Sequence, residues 1–316
     1  MLTVGILTYG NRLSYVRKAV ASSLTIPTSR VIIASNGCPV EVVDSLRVIA
    51  SREPRVFVIE LGSNLGSAGG YRAVIQSFCC SKDSGGDHLL LLDDDCVIEF
   101  ADPDALQGLS PNRGYAIFRS DRRIMRRIAA GIPTSTLYPP VGSFLGFDPV
   151  FLLRKMISVR LRRQSGERIL LEAPYSGLIL SRAIIEAIGL PRLDFYLYGD
   201  DTEYTRRIVA KFGGIQLLSG VSIRELETSW NAGVGSNNFL LRLRRAGTSD
   251  RTFYSVRNGV YLDHVSASSS ARTRLRFRLN RILYLSLFRI ALRRDVYDFV
   301  REAVAKGEAE ILGRRQ

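Results

Sequence analysis

Over its first hundred residues the chain alternates short unbroken apolar runs with segments of helical periodicity. Thr3–Thr8 is an apolar run and predicts a strand. Tyr9-Gly10-Asn11-Arg12 turns the chain, and Leu13, Val16, Val20 and Leu24 then recur at helical spacing. Ser29–Ser35 predicts a second strand, closed by Asn36-Gly37. Val40–Ser51 reads as a second helix and Arg55–Leu61 as a third strand. A helix is predicted from about Ala68 to Phe78, before Leu89-Leu90-Leu91-Leu92, whose four consecutive leucines read as a strand buried on both faces. Strands alternating with helices predict an α/β fold with a mostly parallel sheet. Such sheets bind ligands at the carboxyl ends of their strands. Thr8-Tyr9, Ser35-Asn36-Gly37 and Asp93-Asp94-Asp95 all fall at such ends.

The second half is less even. Residues 101–150 show little periodicity; Tyr138-Pro139-Pro140, Gly142 and Gly146 suggest either a mobile, ligand-facing insertion or a plain surface loop. Ile157, Val159 and Leu161 alternate with Ser158, Arg160 and Arg162, which predicts a half-buried strand with a basic outer face. Gln164–Glu167 turns it and Arg168–Glu172 returns. Those arginines are either a solvated face or a surface for an anionic ligand or lipid headgroups. A helix over Arg182–Ile188 is stopped by Gly189-Leu190-Pro191. Asp200 and Glu203 have capping-box spacing, and Glu203 and Arg207 stand four apart as a helical pair. Gly213-Gly214 ends that helix, and strands follow over Ile215–Leu218 and Val221–Leu226.

Composition narrows the class. With 316 residues and 46% apolar content, the chain can bury a large core in one or two domains. No basic segment and apolar run precede the first strand, so no signal peptide is expected, and no 18-residue apolar run predicts a membrane span. Cys38, Cys79, Cys80 and Cys96 fit neither a disulfide framework nor a Cys-x-x-Cys zinc site, which points to a reducing cytoplasm. A net charge of +14 asks for an anionic partner: nucleic acid, an anionic membrane or a phosphate-bearing substrate. From Arg272 to Arg294 there are eight arginines and no acid, interleaved with Leu275, Leu279, Ile282, Leu283, Leu287 and Ile290. That segment reads either as an interfacial membrane helix or as a helix packed on the domain with an arginine face.

Two acidic clusters carry candidate chemistry. Asp93, Asp94 and Asp95 repel one another unless a cation or strong donors neutralise them. They form either a polar turn after a strand or a site for a hard, oxygen-binding divalent cation. Four glycines lie between Gly62 and Gly70, ahead of the predicted third helix. They form either a flexible surface turn or a cradle that brings backbone N–H groups and a helix N-terminus to a phosphate. The pattern is neither a Walker A loop nor a Gly-x-Gly-x-x-Gly fingerprint. Asp201 sits in the first turn of its helix, where a carboxylate stays ionised and can take the proton of an attacking hydroxyl. Asp200 is the second choice.

The opening Val4-Gly5-Ile6-Leu7-Thr8-Tyr9-Gly10-Asn11-Arg12 resembles the start of inverting family 2 glycosyltransferases. Asn64-Leu65-Gly66-Ser67-Ala68-Gly69-Gly70-Tyr71, the triple Asp at 93–95, the Asp200-Asp201-x-Glu203-Tyr204 run and Tyr254-x-x-Arg257-Asn258 are similar to the bacterial rhamnosyltransferase and galactofuranosyltransferase branch. The resemblance runs over about residues 2–265. It implies a GT-A fold, a UDP- or dTDP-linked sugar donor and a Mn2+ or Mg2+ ion on an Asp-x-Asp pattern. By this resemblance Asp93 and Asp95 hold the metal and Asp94 reaches the donor's ribose or sugar. Thr8, Tyr9, Arg12, Asn36, Asn64 and Gly70 line the nucleotide, and Asp201 is the base. Many relatives carry Asp just before the Asn-Gly turn, where this chain has Ser35, and a metal-binding His where it has none; Glu225 and Glu227 are the candidates for that last place.

The expectation is therefore a GT-A catalytic domain over residues 1–235, with a donor half to about 100 and an acceptor half beyond, followed by a basic helical extension over 236–316. The implied reaction moves rhamnose, galactofuranose or another hexose to a hydroxyl of a bacterial surface glycan, on a lipid carrier at the inner face of the cytoplasmic membrane. A sugar-nucleotide pyrophosphorylase shares this architecture but has no need of the second acidic motif. A nucleic-acid-binding protein would interleave aromatics with a basic groove; here the arginines gather near the C-terminus beside aliphatic residues, so nucleic acid is not an expected partner.

Overall fold

The computed structural model describes residues 2–26, 28–81, 87–100, 102, 104–157, 168–227 and 239–315. It divides into two compact units. The first takes in Met1–Gly131, Ser165–Tyr196 and Asp201–Ser229; the second takes in Ile132–Gln164, Leu197–Asp200 and Trp230–Gln316.

The first unit is built on one mixed sheet. Its strands are β1 (Leu2–Thr8), β2 (Thr28–Asn36), β3 (Val56–Leu61), β4 (His88–Asp93), β5 (Cys96–Phe100), β6 (Gly114–Arg119), β7 (Ile169–Leu170), β8 (Leu178–Ser181) and β9 (Ile215–Glu225). They lie in the order β3-β2-β1-β4-β8-β6-β9-β5, with β7 added against β9. β1 pairs in parallel with both β2 and β4, and β2 pairs in parallel with β3. β4 is central and flanked on both sides, which is why Leu89–Leu92 are all fully buried and the sequence shows no polar alternation there. The parallel register sets Leu7 opposite Asp93 and Thr8 opposite Ser35. Three strand ends thus deliver their polar residues to one edge of the sheet.

Helices α1 (Leu13–Leu24), α2 (Val40–Arg52) and α3 (Gly66–Cys80) follow the first three strands, close to their predicted bounds. The glycines before α3 serve packing. Gly66, Gly69 and Gly70 are already helical and buried. A Cβ at Gly66, whose φ is +72°, would stand 1.9 Å from the Tyr196 carbonyl oxygen; one at Gly70 would stand 2.2 Å from Leu7 Cδ1. From the other side, a Cβ on Gly5 would meet Val74 Cγ1 at 2.2 Å. Lacking Cβ atoms, α3 and β1 approach more closely than any larger residue permits.

The sequence left β6 unpredicted within a stretch expected to be irregular; its Tyr115, Ala116 and Ile117 are buried between β8 and β9. α4 (Arg123–Ala129) follows it. The strands expected on either side of Ser219-Gly220 are one strand, β9, because Gly220 takes φ +85° and lets the chain bend and continue. α6 (Arg182–Ile188) keeps its predicted bounds, with Ser181 Oγ capping the Ile184 N–H. α7 (Asp200–Phe212) carries the predicted Glu203–Arg207 pair at 2.9 Å.

The second unit holds α5 (Pro149–Ile157), α8 (Phe239–Ala246), α9 (Asp250–Ala267), α10 (Ala271–Ala291) and α11 (Arg294–Glu308). α5 ends at Ile157, where the alternation predicted a strand to begin. Its signal was Asp148-Pro149, an acceptor at the N-cap followed by proline at the first helical position; Asp148 Oδ1 accepts the Phe151 N–H at 2.8 Å. The alternating residues 158–162 and the turn at 164–167 lie outside the described residues. Their expected return strand survives as Ile169–Leu170, paired with β9. The Tyr254-x-x-Arg257-Asn258 run lies inside α9, and α10 covers most of the arginine-rich segment. Asn258 Nδ2 donates to the Leu197 and Tyr198 carbonyls at 3.0 and 2.7 Å. It thereby ties down a short stretch in which Tyr198 takes φ +63° and Gly199 +76°.

Candidate active site

The three aspartates at the end of β4 do not act as one cluster. Asp94 is buried and accepts from Thr8 Oγ1 at 2.6 Å and from Arg12 Nε at 2.8 Å. Asp93 accepts from the Tyr71 hydroxyl at 2.5 Å, and its own N–H donates to Ser176 Oγ at 3.1 Å. Asp95 takes a bond from Arg12 Nη2 at 2.8 Å. Asp93, Asp95 and Cys96 nevertheless bring one ligand atom each within 4.8 Å of one another. Two carboxylates two residues apart thus share a spot, and the one between them is spent on Thr8 and Arg12.

Burial pushes Asp94 up to about 6, against the pull of Thr8 and Arg12. Burial and the neighbouring Asp93 also raise Asp95, and Arg12 pulls it back. The Tyr71 phenol is held protonated by burial and by Asp93, which suits it to donate there. Burial works against the charge of Arg12, yet Asp94 and Glu227 keep it firmly a cation.

Arg12 is therefore a hub. Its Nη1 donates to Glu227 at 2.6 Å, and its guanidinium lies over the Tyr9 and Tyr15 rings at 5.3 and 4.8 Å. Tyr9 is exposed. Asn36 and Asn64 turn toward the start of α3: Asn36 Oδ1 accepts the Leu65 N–H at 2.8 Å and Asn64 Oδ1 accepts the Gly66 N–H at 2.9 Å. Asn36 Nδ2 also donates to the Gly66 carbonyl at 2.9 Å. With the Ala68 N–H on the Tyr196 carbonyl, three N–H groups of this glycine-rich stretch are satisfied within the fold. Gly70 lies buried under Leu7, and Ser35 is buried at the end of β2.

Glu225 and Glu227 lie outside the Asp93–Asp95–Cys96 trio. Glu227 is paired with Arg12. Glu225 receives Arg119 Nη2 and, at 3.4 Å, Arg122 Nη2. Arg119 is fully buried and also reaches Asp121 at 3.3 Å and the Ser176 carbonyl at 3.4 Å. Neither arginine was singled out from the sequence, since each stands in a short stretch without periodicity or motif. Burial and the like charge of Arg119 weaken the hold of Arg122 on its proton, while Asp121, Asp93 and Asp201 support it.

Asp201 opens onto the same charge field. Its Oδ1 accepts the Thr202 N–H at 2.7 Å. Burial pushes its carboxyl up to about 6, joined by the charges of Glu172 and Asp93; the Thr202 N–H and Arg122 pull the other way. A carboxylate held near 6 ionises at neutral pH and still binds a proton well, which is the property of a general base. Asp200, one residue earlier, is buried.

No family model matches the sequence, and none of the curated proteins matches it. Among solved structures, the chain is similar to GalNAc-T7 with UDP, GalNAc and Mn2+, with a TM-score of 0.50 and 11% identity over 98% of this chain and 57% of that one. It is also similar to TarS of S. aureus, with a TM-score of 0.47 and 11% identity over 97% of this chain and 54% of that one. A third neighbour is the mannosyltransferase PcManGT from Pyrobaculum calidifontis in complex with GDP-Man and Mn2+, with a TM-score of 0.46 and 11% identity over 98% and 87% of the two chains. This chain thus spans little more than half the length of the first two. The likeness to GalNAc-T7, together with the mixed sheet and its flanking helices, establishes the GT-A fold.

Proposed function

We propose that the chain is a metal-dependent, inverting glycosyltransferase that uses a nucleotide-diphosphate sugar. The observation that carries this reading is the convergence of two acidic groups with different surroundings. Asp93 and Asp95 bring ligand atoms together, and Asp201, held near 6, lies within the field of Asp93. Two oxygen donors fit an oxygen-preferring ion such as Mn2+ or Mg2+. Bound by Asp93 and Asp95, it would neutralise charge on the leaving diphosphate. The structural neighbour GalNAc-T7 was solved with UDP and Mn2+, which supports the same pairing here.

The residues of the chain then divide the work. Asp201 takes the proton of an acceptor hydroxyl as its oxygen attacks the anomeric carbon. The new bond forms as the carbon–oxygen bond to the diphosphate breaks, and the configuration inverts in one displacement. Arg122 favours the ionised form of Asp201 beforehand. Arg12 and Thr8 hold Asp94 at the donor edge, and Tyr71 orients Asp93. The donor is UDP- or dTDP-linked, and the sugar is rhamnose, galactofuranose or another hexose. The acceptor is a hydroxyl of a bacterial surface glycan, carried on a lipid.

The test screens the purified chain against UDP-, dTDP- and GDP-sugars with Mn2+ or Mg2+, with and without glycan acceptors. Transfer that needs both the ion and an acceptor supports the reading. Pyrophosphate exchange with a sugar phosphate, and no acceptor requirement, would replace it with a pyrophosphorylase.

A further inference from the structure

α10 presents two unlike faces. Phe277, Asn280, Tyr284 and Phe288 turn inward. Phe147 stacks on Tyr284 with ring centroids 4.4 Å apart, and Phe144 meets Phe277 edge-on at 5.5 Å. Asn280 Nδ2 donates to the Gly142 carbonyl and to Asp148, both at 2.9 Å, and Arg276 Nε reaches Asp148 at 2.6 Å. The helix is therefore anchored through aromatic and polar side chains.

Its aliphatic residues are left outside. Leu275, Leu279, Ile282, Leu283, Leu287 and Ile290 are all exposed, from 46% at Leu287 to 84% at Ile290. Their spacing places them on one side of the helix, in a ridge about 22 Å long. Single exposed leucines are ordinary, but a contiguous ridge marks a contact surface. Arg272, Arg274, Arg278 and Arg289 are exposed alongside it. α10 contains no acid, and these four form no ion pair among the described residues. The arrangement also says what covers the ridge. A second copy docked face to face would set the same arginine rows against each other with no acid between them. A nucleic acid would meet an aliphatic ridge where it needs base-stacking or hydrogen-bonding groups. No helix among the described residues is long and apolar enough to cross a membrane.

We propose that this face of α10 lies in the interfacial layer of an anionic lipid bilayer, with the six aliphatic side chains in the acyl boundary and the four arginines on headgroup phosphates. Long arginine stems reach the phosphates while the ridge sinks below them. This inference does not depend on the glycosyl-transfer reading, and its test needs no sugar.

The full chain is sedimented with vesicles of phosphatidylcholine containing phosphatidylglycerol and, separately, with phosphatidylcholine alone. Wild type is expected to bind the anionic vesicles at least tenfold better than the neutral ones. Leu279→Glu combined with Ile290→Glu should abolish that binding, and the triple change Arg274→Gln, Arg278→Gln and Arg289→Gln should weaken it at least tenfold. All five positions are exposed, so thermal melting should stay unchanged. In the wild type, hydrogen exchange along residues 271–291 should slow on anionic vesicles. Absent or charge-independent binding, unchanged exchange, or a double variant that binds like wild type would overturn the proposal. So would self-association in sedimentation velocity that the double variant abolishes while vesicles are ignored, which would make the ridge an interface between copies.

Discussion

Asp94 and Arg12 form a pair in which the guanidinium Nε meets the Asp94 Oδ1 at 2.8 Å, while its Nη2 reaches Asp95 at 2.8 Å. Asp94 is almost wholly buried, with its side chain 3% exposed and that of Arg12 15% exposed. Removing Asp94 leaves Arg12 paired with Asp95 and Glu227 but takes the acceptor from the buried Thr8 hydroxyl. Asp94→Ala is therefore expected to destabilise the fold by about 1–3 kcal/mol. Asp95→Asn, at the more accessible carboxylate, should instead leave the melting temperature nearly unchanged and weaken metal-dependent donor use. Thermal denaturation and donor titrations of both variants separate the two roles.

Asp201→Asn should retain donor binding and lose turnover by about 100- to 10,000-fold, the range of a general base. Asparagine keeps an oxygen for the Thr202 N–H but accepts no proton. Donor affinity by calorimetry and single-turnover rates would show it. Full turnover in the variant would remove Asp201 from the mechanism.

The pH dependence follows from the raised Asp201 carboxyl, at about 6. Turnover should fall about tenfold per pH unit below that value, as the base becomes protonated. The stability effect has the opposite sense. A carboxyl raised on folding favours the folded state fully below its ordinary range, near about 4, and that contribution is lost as pH rises through about 6. Asp201→Asn should thus melt above wild type at pH 7–8, with the gap closing toward pH 4. Melting curves across this range test the sign.

Glu225 holds the fully buried Arg119. Glu225→Ala is expected to cost about 3–5 kcal/mol, and the loss should be equal with Mn2+ and with chelator. A loss confined to the metal-containing sample would return Glu225 to the ion.

Gly66→Ala should cost about 2 kcal/mol or more. It combines φ +72° with a Cβ placed 1.9 Å from the Tyr196 carbonyl oxygen. Denaturant titration measures this. If the glycines served only as a mobile phosphate loop, the variant would lose donor affinity and keep its stability.

The chain itself determined the first four strands and three helices, because local period and buried runs specify such elements without distant partners. Leu89–Leu92 read as a covered strand, and Leu13–Leu24 as an amphipathic helix. The sequence also singled out Asp93, Asp95 and Asp201, since three adjacent acids repel one another unless neutralised, and Asp201 falls in a run that resembles a known base motif. Tertiary structure alone decided what their neighbours do. Arg12 and Asp94 are 82 positions apart, and Arg119 and Glu225 are 106 apart; no local pattern announces a pair closed by sheet order. The glycines near α3 left a flexible turn and a phosphate cradle both open, because the sequence shows missing side chains and not what would collide with them. The aliphatic residues of α10 had the spacing of a core face, yet Phe277, Asn280, Tyr284 and Phe288 took that place. Periodicity specifies that a helix has faces. Which face turns inward depends on the surface it meets, and that surface comes from elsewhere in the chain.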